Sequence, residues 1–258
     1  MPLTPEDWHQ RYLEQARWTD NIRKYLFDKS NLSGVSHVLD VGIGTGALEH
    51  DFTSNSYPLP FGLDIDHNSL TLAKKNISSL ALIQGNACQL PYASGVFEIC
   101  FCHFVLLWVE FPDQVVAEMA RVTRSGGSVI AIAEPDYGGR IDYPEALDQI
   151  GDWQTHSLQR QGADPHLGRK LIQLFDQAGL TEIEVGVVGG RWTISPAQEE
   201  FESEWRVIEA DLETLRLSPA ERRLARQLQQ EDAVARSKGI RVLYVPTFYA
   251  WGKIPETA

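Results

Sequence analysis

His37-Val38-Leu39-Asp40-Val41-Gly42-Ile43-Gly44-Thr45-Gly46-Ala47 is an apolar run that ends in an acid and three glycines spaced two apart. Val38, Leu39 and Val41 supply the β-branched and aliphatic content of a short buried strand, and the alternating glycines suit a tight turn into a helix. A turn without side chains lets another molecule touch bare backbone. In open parallel sheets, ligands sit beyond the carboxyl ends of the strands, where strand order reverses, and the first strand–turn–helix unit borders that crevice. The stretch therefore reads as a ligand site built on an α/β fold.

Gly42-x-Gly44-x-x-Ala47 fits the looser dinucleotide fingerprint, so the glycines alone do not separate a nicotinamide enzyme from other nucleoside binders. Asp40 discriminates. An acid aimed at the turn repels a pyrophosphate and attracts an ammonium, which favours a nucleoside that carries an amino acid. The resulting Asp-x-Gly-x-Gly-x-Gly pattern resembles the first motif of the class I S-adenosylmethionine-dependent methyltransferases. The resemblance implies a Rossmann-like, seven-stranded, mostly parallel sheet flanked by helices, with an antiparallel last strand. It also implies S-adenosyl-L-methionine as cofactor, its methionine part held by Asp40, Gly42, Gly44 and Gly46. Three other readings stand beside it: a glycine turn that merely closes a strand–helix corner, a nicotinamide-dependent oxidoreductase, and a non-catalytic S-adenosylmethionine-binding protein.

The segments downstream keep the family's order. Phe61-Gly62-Leu63-Asp64-Ile65-Asp66 is a second strand ending in acids, and Asp64 lies about twenty residues past the glycines, where an acid meets ribose hydroxyls in such folds. Ile65 shares that strand end, and Asp66 is placed to cap the helix of Leu70, Leu72 and Ala73. Leu80-Ala81-Leu82-Ile83 is a third strand, followed by Gly85-Asn86-Ala87, where the family usually has Gly-Asp-Ala. Asn86 can still accept from an adenine amino group, although without the charge, and Ala87 is small enough to admit a flat ring. Phe97 to His103 is the fourth strand, and His103 at its exit is a candidate for cofactor contact, base or plain wall. Ser128 to Ala133, after Ser125-Gly126-Gly127, is the fifth.

Substrate contacts are expected where the fourth and fifth strands end, from Trp108, Glu134 and Tyr137, with His156 further on. Alignment of acceptor, methyl carbon and sulfur matters more in this chemistry than a strong catalyst. A neutral amine acceptor needs no base, whereas a hydroxyl or carbon acid would want one, with His103, Glu134 or His156 as candidates.

Thr4-Pro5-Glu6-Asp7 carries a cap residue, a first-turn proline and acids, which predict a helix start. Trp8, Tyr12 and Ala16, then Trp18, Ile22, Tyr25 and Leu26, recur at helical spacing on either side of a bend near Thr19-Asp20. Residues 1–33 are expected to form a helical lid, and the resemblance points to Arg23 as the cation that reaches the cofactor carboxylate. Glu182 to Val188 and Tyr244 to Trp251 read as the sixth and seventh strands. Between them, Ser195-Pro196-Ala197-Gln198 and Ser218-Pro219-Ala220-Glu221 signal two helix starts. One methyltransferase domain is thus expected, with its α/β core at 34–191 and 242–258 and a helical insertion at 192–241.

The 258 residues, with 43% hydrophobic and 22% charged content, are ordinary for a globular chain. A net charge of −12 argues against a nucleic-acid backbone as main partner and leaves a small-molecule substrate. No apolar stretch is long enough to span a bilayer, and Met1 to Asp7 lacks the pattern of a secretory signal, so a cytoplasmic location is expected. Cys88, Cys100 and Cys102 are too few and too poorly spaced for a zinc site and read as reduced core residues. The oligomeric state and the acceptor are not readable from these patterns.

Overall fold

The computed structural model describes residues 4–189 and 198–256. In chain order the first elements are α1 (Pro5–Trp18), α2 (Asp20–Lys29), β1 (Val38–Val41), α3 (Glu49–Ser54), β2 (Phe61–Asp64), α4 (His67–Asn76), β3 (Ala81–Gln84) and β4 (Phe97–Cys102). They are followed by α5 (Pro112–Val122), β5 (Thr123–Pro135), β6 (Ile141–Tyr143), α6 (Asp148–Arg160), α7 (Leu171–Gln177) and β7 (Thr181–Val188). The last are α8 (Gln198–Leu215), α9 (Pro219–Ser237), β8 (Val242–Tyr244) and β9 (Thr247–Lys253). None of the described helices is long and apolar enough to cross a membrane.

Seven strands form one sheet in the order β3-β2-β1-β4-β5-β9-β7. β1 pairs in parallel with both β2 and β4, so strand order reverses at β1, the strand that carries the glycine turn. The last strand, β9, runs antiparallel to β7, as expected. Both faces of the central strands are covered. Cys100, Cys102, Val129 and Ala131 pack with α5 and α7 through Val115, Met119, Leu171 and Phe175. On the opposite face Phe27, Phe52 and Phe101 meet with ring centroids 5.4 to 5.8 Å apart, so α2 and α3 are glued to β4 by aromatic packing.

Local signals place the helix starts. Thr4 and Asp7 form the reciprocal cap of α1, Asp66 accepts from the Asn68 and Ser69 amides at the start of α4, and Ser218 with Glu221 caps α9. The other start signal, Ser195-Pro196-Ala197, and the insertion boundary at Trp192 lie outside the described residues.

Three features differ from the expectations. The fifth strand begins at Thr123, so Gly126 and Gly127 lie inside the extended segment instead of before it. The segment expected as one strand from Tyr244 to Trp251 is split into β8 and β9 around Val245-Pro246, because proline has no N–H to continue a ladder. β8 pairs with β6 in a two-stranded antiparallel sheet for which there was no signal in either stretch alone.

The described residues of Leu3–Glu134, Leu167–Val188 and Thr247–Ala258 form one compact unit, and those of Pro135–His166 and Gly189–Pro246 form a second. Residues 135–166, expected in the α/β core, therefore group with the helical insertion. The reason is a shared interior. Leu147, Ile150 and Trp153 pack with Trp205, Ile208, Leu212 and Leu228, and a buried ion network ties the pieces. Asp142 accepts from Arg140 at 2.5 Å and Arg241 at 2.6 Å, and Arg241 also reaches Asp232, which takes the Trp205 indole N–H at 2.7 Å.

Candidate functional site

The glycine turn follows β1 directly and hangs on β2. The Gly42 and Ile43 amides donate to the Leu63 carbonyl at 2.7 and 3.1 Å, and the Gly44 amide donates to Asp64 Oδ2 at 2.8 Å. Gly42, Gly44 and Gly46 all adopt positive φ (80°, 55° and 75°). At Gly42 a Cβ would also fall 2.4 Å from a Val105 methyl carbon, so only glycine brings the turn this close to the loop after β4. Asp64 Oδ1 accepts the Asp66 amide at 2.8 Å. Burial raises the Asp64 pKa against the pull of these amides, and the partly buried carboxylate keeps further lone pairs for a diol at the end of β2. Ile65, 69% exposed beside it, offers an apolar surface.

α1 lies over this turn. His9 Nδ1 is 2.7 Å from Thr45 Oγ1, His9 Nε2 is 3.3 Å from the Asn76 amide, and the Tyr12 ring approaches within 3.6 Å of where a Gly44 Cβ would stand. Burial, then Asp64 and Asp66, push the Tyr12 phenol up to about 12, so it stays a neutral donor beside the acids. The sequence names Tyr12 only as part of the apolar stripe of α1 and does not single out His9. Nothing in that spacing says what the stripe, half-buried at Trp8 and Tyr12, covers. α2 holds the other end of the leader against the sheet edge, where Tyr25 and Tyr249 both donate to Glu184, at 3.0 and 3.1 Å, and Lys29 pairs with it.

Arg23 is placed differently from its expected role. Its guanidinium donates to the Ala16 carbonyl, to Thr19 Oγ1 at 2.6 Å and to Asp51, and its residue is 3% exposed. It is engaged in bracing α1 and α2 against α3 and is not held out toward a cofactor carboxylate. Arg23 shares the buried side of α2 with Leu26 and Phe27.

Asp40 is 3% exposed beneath the turn, and Glu49 of α3 is fully buried next to it. Asn86 is exposed, and its Oδ1 accepts the Cys88 amide at 2.9 Å, which makes its side chain part of its own turn, with Ala87 half-buried alongside. His103 is half-buried with Nε2 3.0 Å from Thr19 Oγ1, and burial together with the Arg23 cation pushes its pKa down to about 3. The imidazole is neutral near pH 7 and a weak acceptor of a second proton. Trp108, 47% exposed, ends the turn after β4.

Glu134 corrects another expectation. It is fully buried, and its carboxylate accepts the amides of Val105, Leu106 and Leu107 at 3.0, 2.8 and 3.0 Å. It staples the loop after β4 and offers no carboxylate to a substrate, because its position on β5 points inward. Burial raises its pKa to about 7 against the three amides. Since this folded value lies above the usual 4.5, its contribution to stability is complete below about 4.5 and is lost as pH rises through about 7. Glu134→Gln is accordingly expected to reduce the fall in stability between pH 5 and pH 8, read from urea midpoints. An unchanged pH slope would mean that Glu134 is ionised throughout.

Tyr137 and His156 belong to the smaller unit. Tyr137 begins a short 3₁₀ turn, with its amide donating to the Pro165 carbonyl at 2.8 Å. His156 is exposed and bonded to the Asp152 carbonyl of its own helix at 2.8 Å, a solvated histidine. The same unit pairs His166 Nδ1 with Asp136 Oδ1 at 3.4 Å, a contact thirty residues apart in sequence that no local pattern announces.

Comparison with known proteins agrees with this geometry. A profile described as a methyltransferase domain matches residues 39–131. The demethylmenaquinone methyltransferase of Halalkalibacterium halodurans is 30% identical over 194 residues, 65% of this chain and 77% of that protein. The phosphatidylethanolamine N-methyltransferase of Cereibacter sphaeroides is 30% identical over 50% of this chain and 69% of its own. Among solved structures, a Haemonchus contortus phosphoethanolamine N-methyltransferase in complex with phosphomonomethylethanolamine and S-adenosylhomocysteine superposes with a TM-score of 0.57. It is 16% identical and covers 92% of this chain and 53% of that one. The [4+2]-cyclase SpnF superposes at 0.58 with 17% identity, over 94% and 82% of the two chains.

Proposed function

Since the chain belongs to the class I S-adenosylmethionine-dependent methyltransferases, with S-adenosyl-L-methionine as cofactor, we propose that it methylates a small molecule whose acceptor atom is nucleophilic without a strong protein base. The observation that carries this reading is the state of the three candidate bases. His103 is held neutral at about 3, Glu134 is consumed by three amides, and His156 faces its own helix. An amine, or a ring carbon made electron-rich by its own hydroxyl, suits such a site.

The residues around the glycine turn fit the cofactor. Asp64 would take the ribose hydroxyls, the bare backbone at Gly42 and Gly44 the amino-acid part, Asp40 its ammonium, and Ile65 with Ala87 the adenine faces. When bound, the cofactor supplies a methyl group on a positively charged sulfur. The chain's part is to exclude water and to hold the acceptor in line, and Tyr12 and His9 over the turn serve the first task.

S-Adenosylhomocysteine at a hundred times its Kd should stabilise the fold by about 2.7 kcal/mol, seen as a raised melting temperature, and nicotinamide dinucleotides should not. The acceptor class is tested with methyl-labelled cofactor offered separately to a demethylated quinol and to ethanolamine-type amines, the kinds of compound named in its relatives. Label in neither, but in a hydroxylated substrate that requires deprotonation, would overturn the base-free reading.

A further inference from the structure

The floor of the glycine turn holds a carboxyl pair for which the fold has no evident use. Glu49 opens α3 three residues past Gly46, is 0% exposed, and neither of its carboxylate oxygens receives a hydrogen bond from an N–H or hydroxyl among the described residues. Its neighbour is the Asp40 carboxyl, and two carboxyls can bond to each other only through a shared proton. A first-turn acid that served its helix would take a well-formed bond from one of the free amides there; only Glu49's own amide draws on the carboxylate, and neither oxygen gains a hydrogen-bond partner.

The surrounding elements leave the pair uncompensated. Arg23 of α2 pulls Glu49 down, but its guanidinium is bonded to Ala16, Thr19 and Asp51. Asp51 of α3 pushes Glu49 up, and Asp64 of β2 pushes Asp40 up. On β4, the Cys100 thiol is kept protonated by burial and Asp40, and the Cys102 thiol by burial, Glu134 and Asp40, so neither brings a charge to offset the pair. Burial is the largest influence on both acids, holding Asp40 well above the carboxylate range and Glu49 at about 7. Glutamine or leucine at position 49 would avoid the cost of a buried, unbonded acid.

We propose that Glu49 joins Asp40 as a paired anionic floor for the ammonium of the cofactor's amino-acid part, and that cofactor uptake displaces the proton the two acids share. The inference rests on the placement of the cofactor at the glycine turn. Its charge balance is closed. The protonated pair carries one negative charge; with the proton released to solvent and the ammonium docked, two carboxylates and one cation again leave one. The buried site thus keeps its net charge through binding, and the proton serves as the stand-in cation of the empty turn.

Calorimetry of S-adenosylhomocysteine binding to the full chain at pH 8, in two buffers of different ionisation enthalpy, counts the protons exchanged. About one proton released per ligand is expected there, with affinity weakening further as pH falls through about 7 and Glu49 takes up a second proton. Glu49→Gln should release clearly less and bind about tenfold more weakly at pH 8. 5′-Methylthioadenosine, which lacks the amino acid, should release no proton and bind parent and variant alike. A structural acid would lower the melting temperature when replaced. Glu49→Gln should instead raise it at pH 8, since the folded value lies above the unfolded one and the acid's stabilising contribution is already lost there. Absence of proton release from the parent, or equal affinity of parent and variant for S-adenosylhomocysteine, would overturn the proposal. Failure of the parent to bind either nucleoside would overturn the cofactor placement, and the proposal with it.

Discussion

Asp64→Ala is expected to weaken S-adenosylmethionine binding by about 1–3 kcal/mol, the loss that follows when a charged acceptor leaves its partners unpaired. Both of its oxygens already accept backbone amides, from Gly44 and Asp66, each at 2.8 Å. The carboxylate therefore has two duties, fixing the glycine turn and presenting its remaining lone pairs at the strand end. Asp64→Asn separates them. The amide oxygen still accepts the Gly44 N–H, while the NH₂ group replaces half of the acceptor capacity offered to a ribose. An analogue without the ribose hydroxyls should then bind parent and Asp64→Asn equally, and the full cofactor should not. Calorimetry that finds the same affinity for all three proteins would remove Asp64 from the site.

Arg23→Ala is expected to lower stability by about 2–4 kcal/mol, measured by urea unfolding, because it strips a buried guanidinium from Ala16, Thr19 and Asp51 together. The figure sits below that for a fully buried pair because the Asp51 side chain is 38% exposed and can be hydrated once alone. Arg23→Lys should recover little, since one ammonium cannot reproduce a fork that spans three acceptors. If Arg23 instead bound the cofactor carboxylate, the variant would retain its stability and lose affinity for S-adenosylhomocysteine but not for 5′-methylthioadenosine. That outcome would restore the role expected for it from family resemblance.

The two residues mark the limit between what can be read along the chain and what cannot. The position of Asp64 was legible because its surroundings are local. It stands at the end of a short strand, at a spacing from the glycines that any strand–helix–strand nucleoside site imposes. The same holds for the Asp40 motif, for the succession of strands along the chain as far as Ala133, and for the caps at Thr4, Asp66 and Ser218, where a residue and its partner are two or three positions apart. Such signals are written into sequence because backbone geometry at a turn or helix end depends on a few neighbours.

What the chain does with its buried charges was decided elsewhere. Glu134 carries the same carboxylate as Asp64, yet three amides twenty-seven to twenty-nine residues away make it a staple. Glu49 meets Asp40 only when α3 folds back beneath β1, and Arg23 meets Asp51 across twenty-eight residues. β6 finds β8 a hundred residues on, drawing 135–166 away from the core expected for it. By itself the sequence determined the fold class and, through its family resemblance, the cofactor, since strand periodicity, turn chemistry and motif spacing act over a few residues. Only tertiary structure decided which acids stay at a strand end and which are consumed inside, because burial and the partner of a charge are properties of chain segments that meet in space.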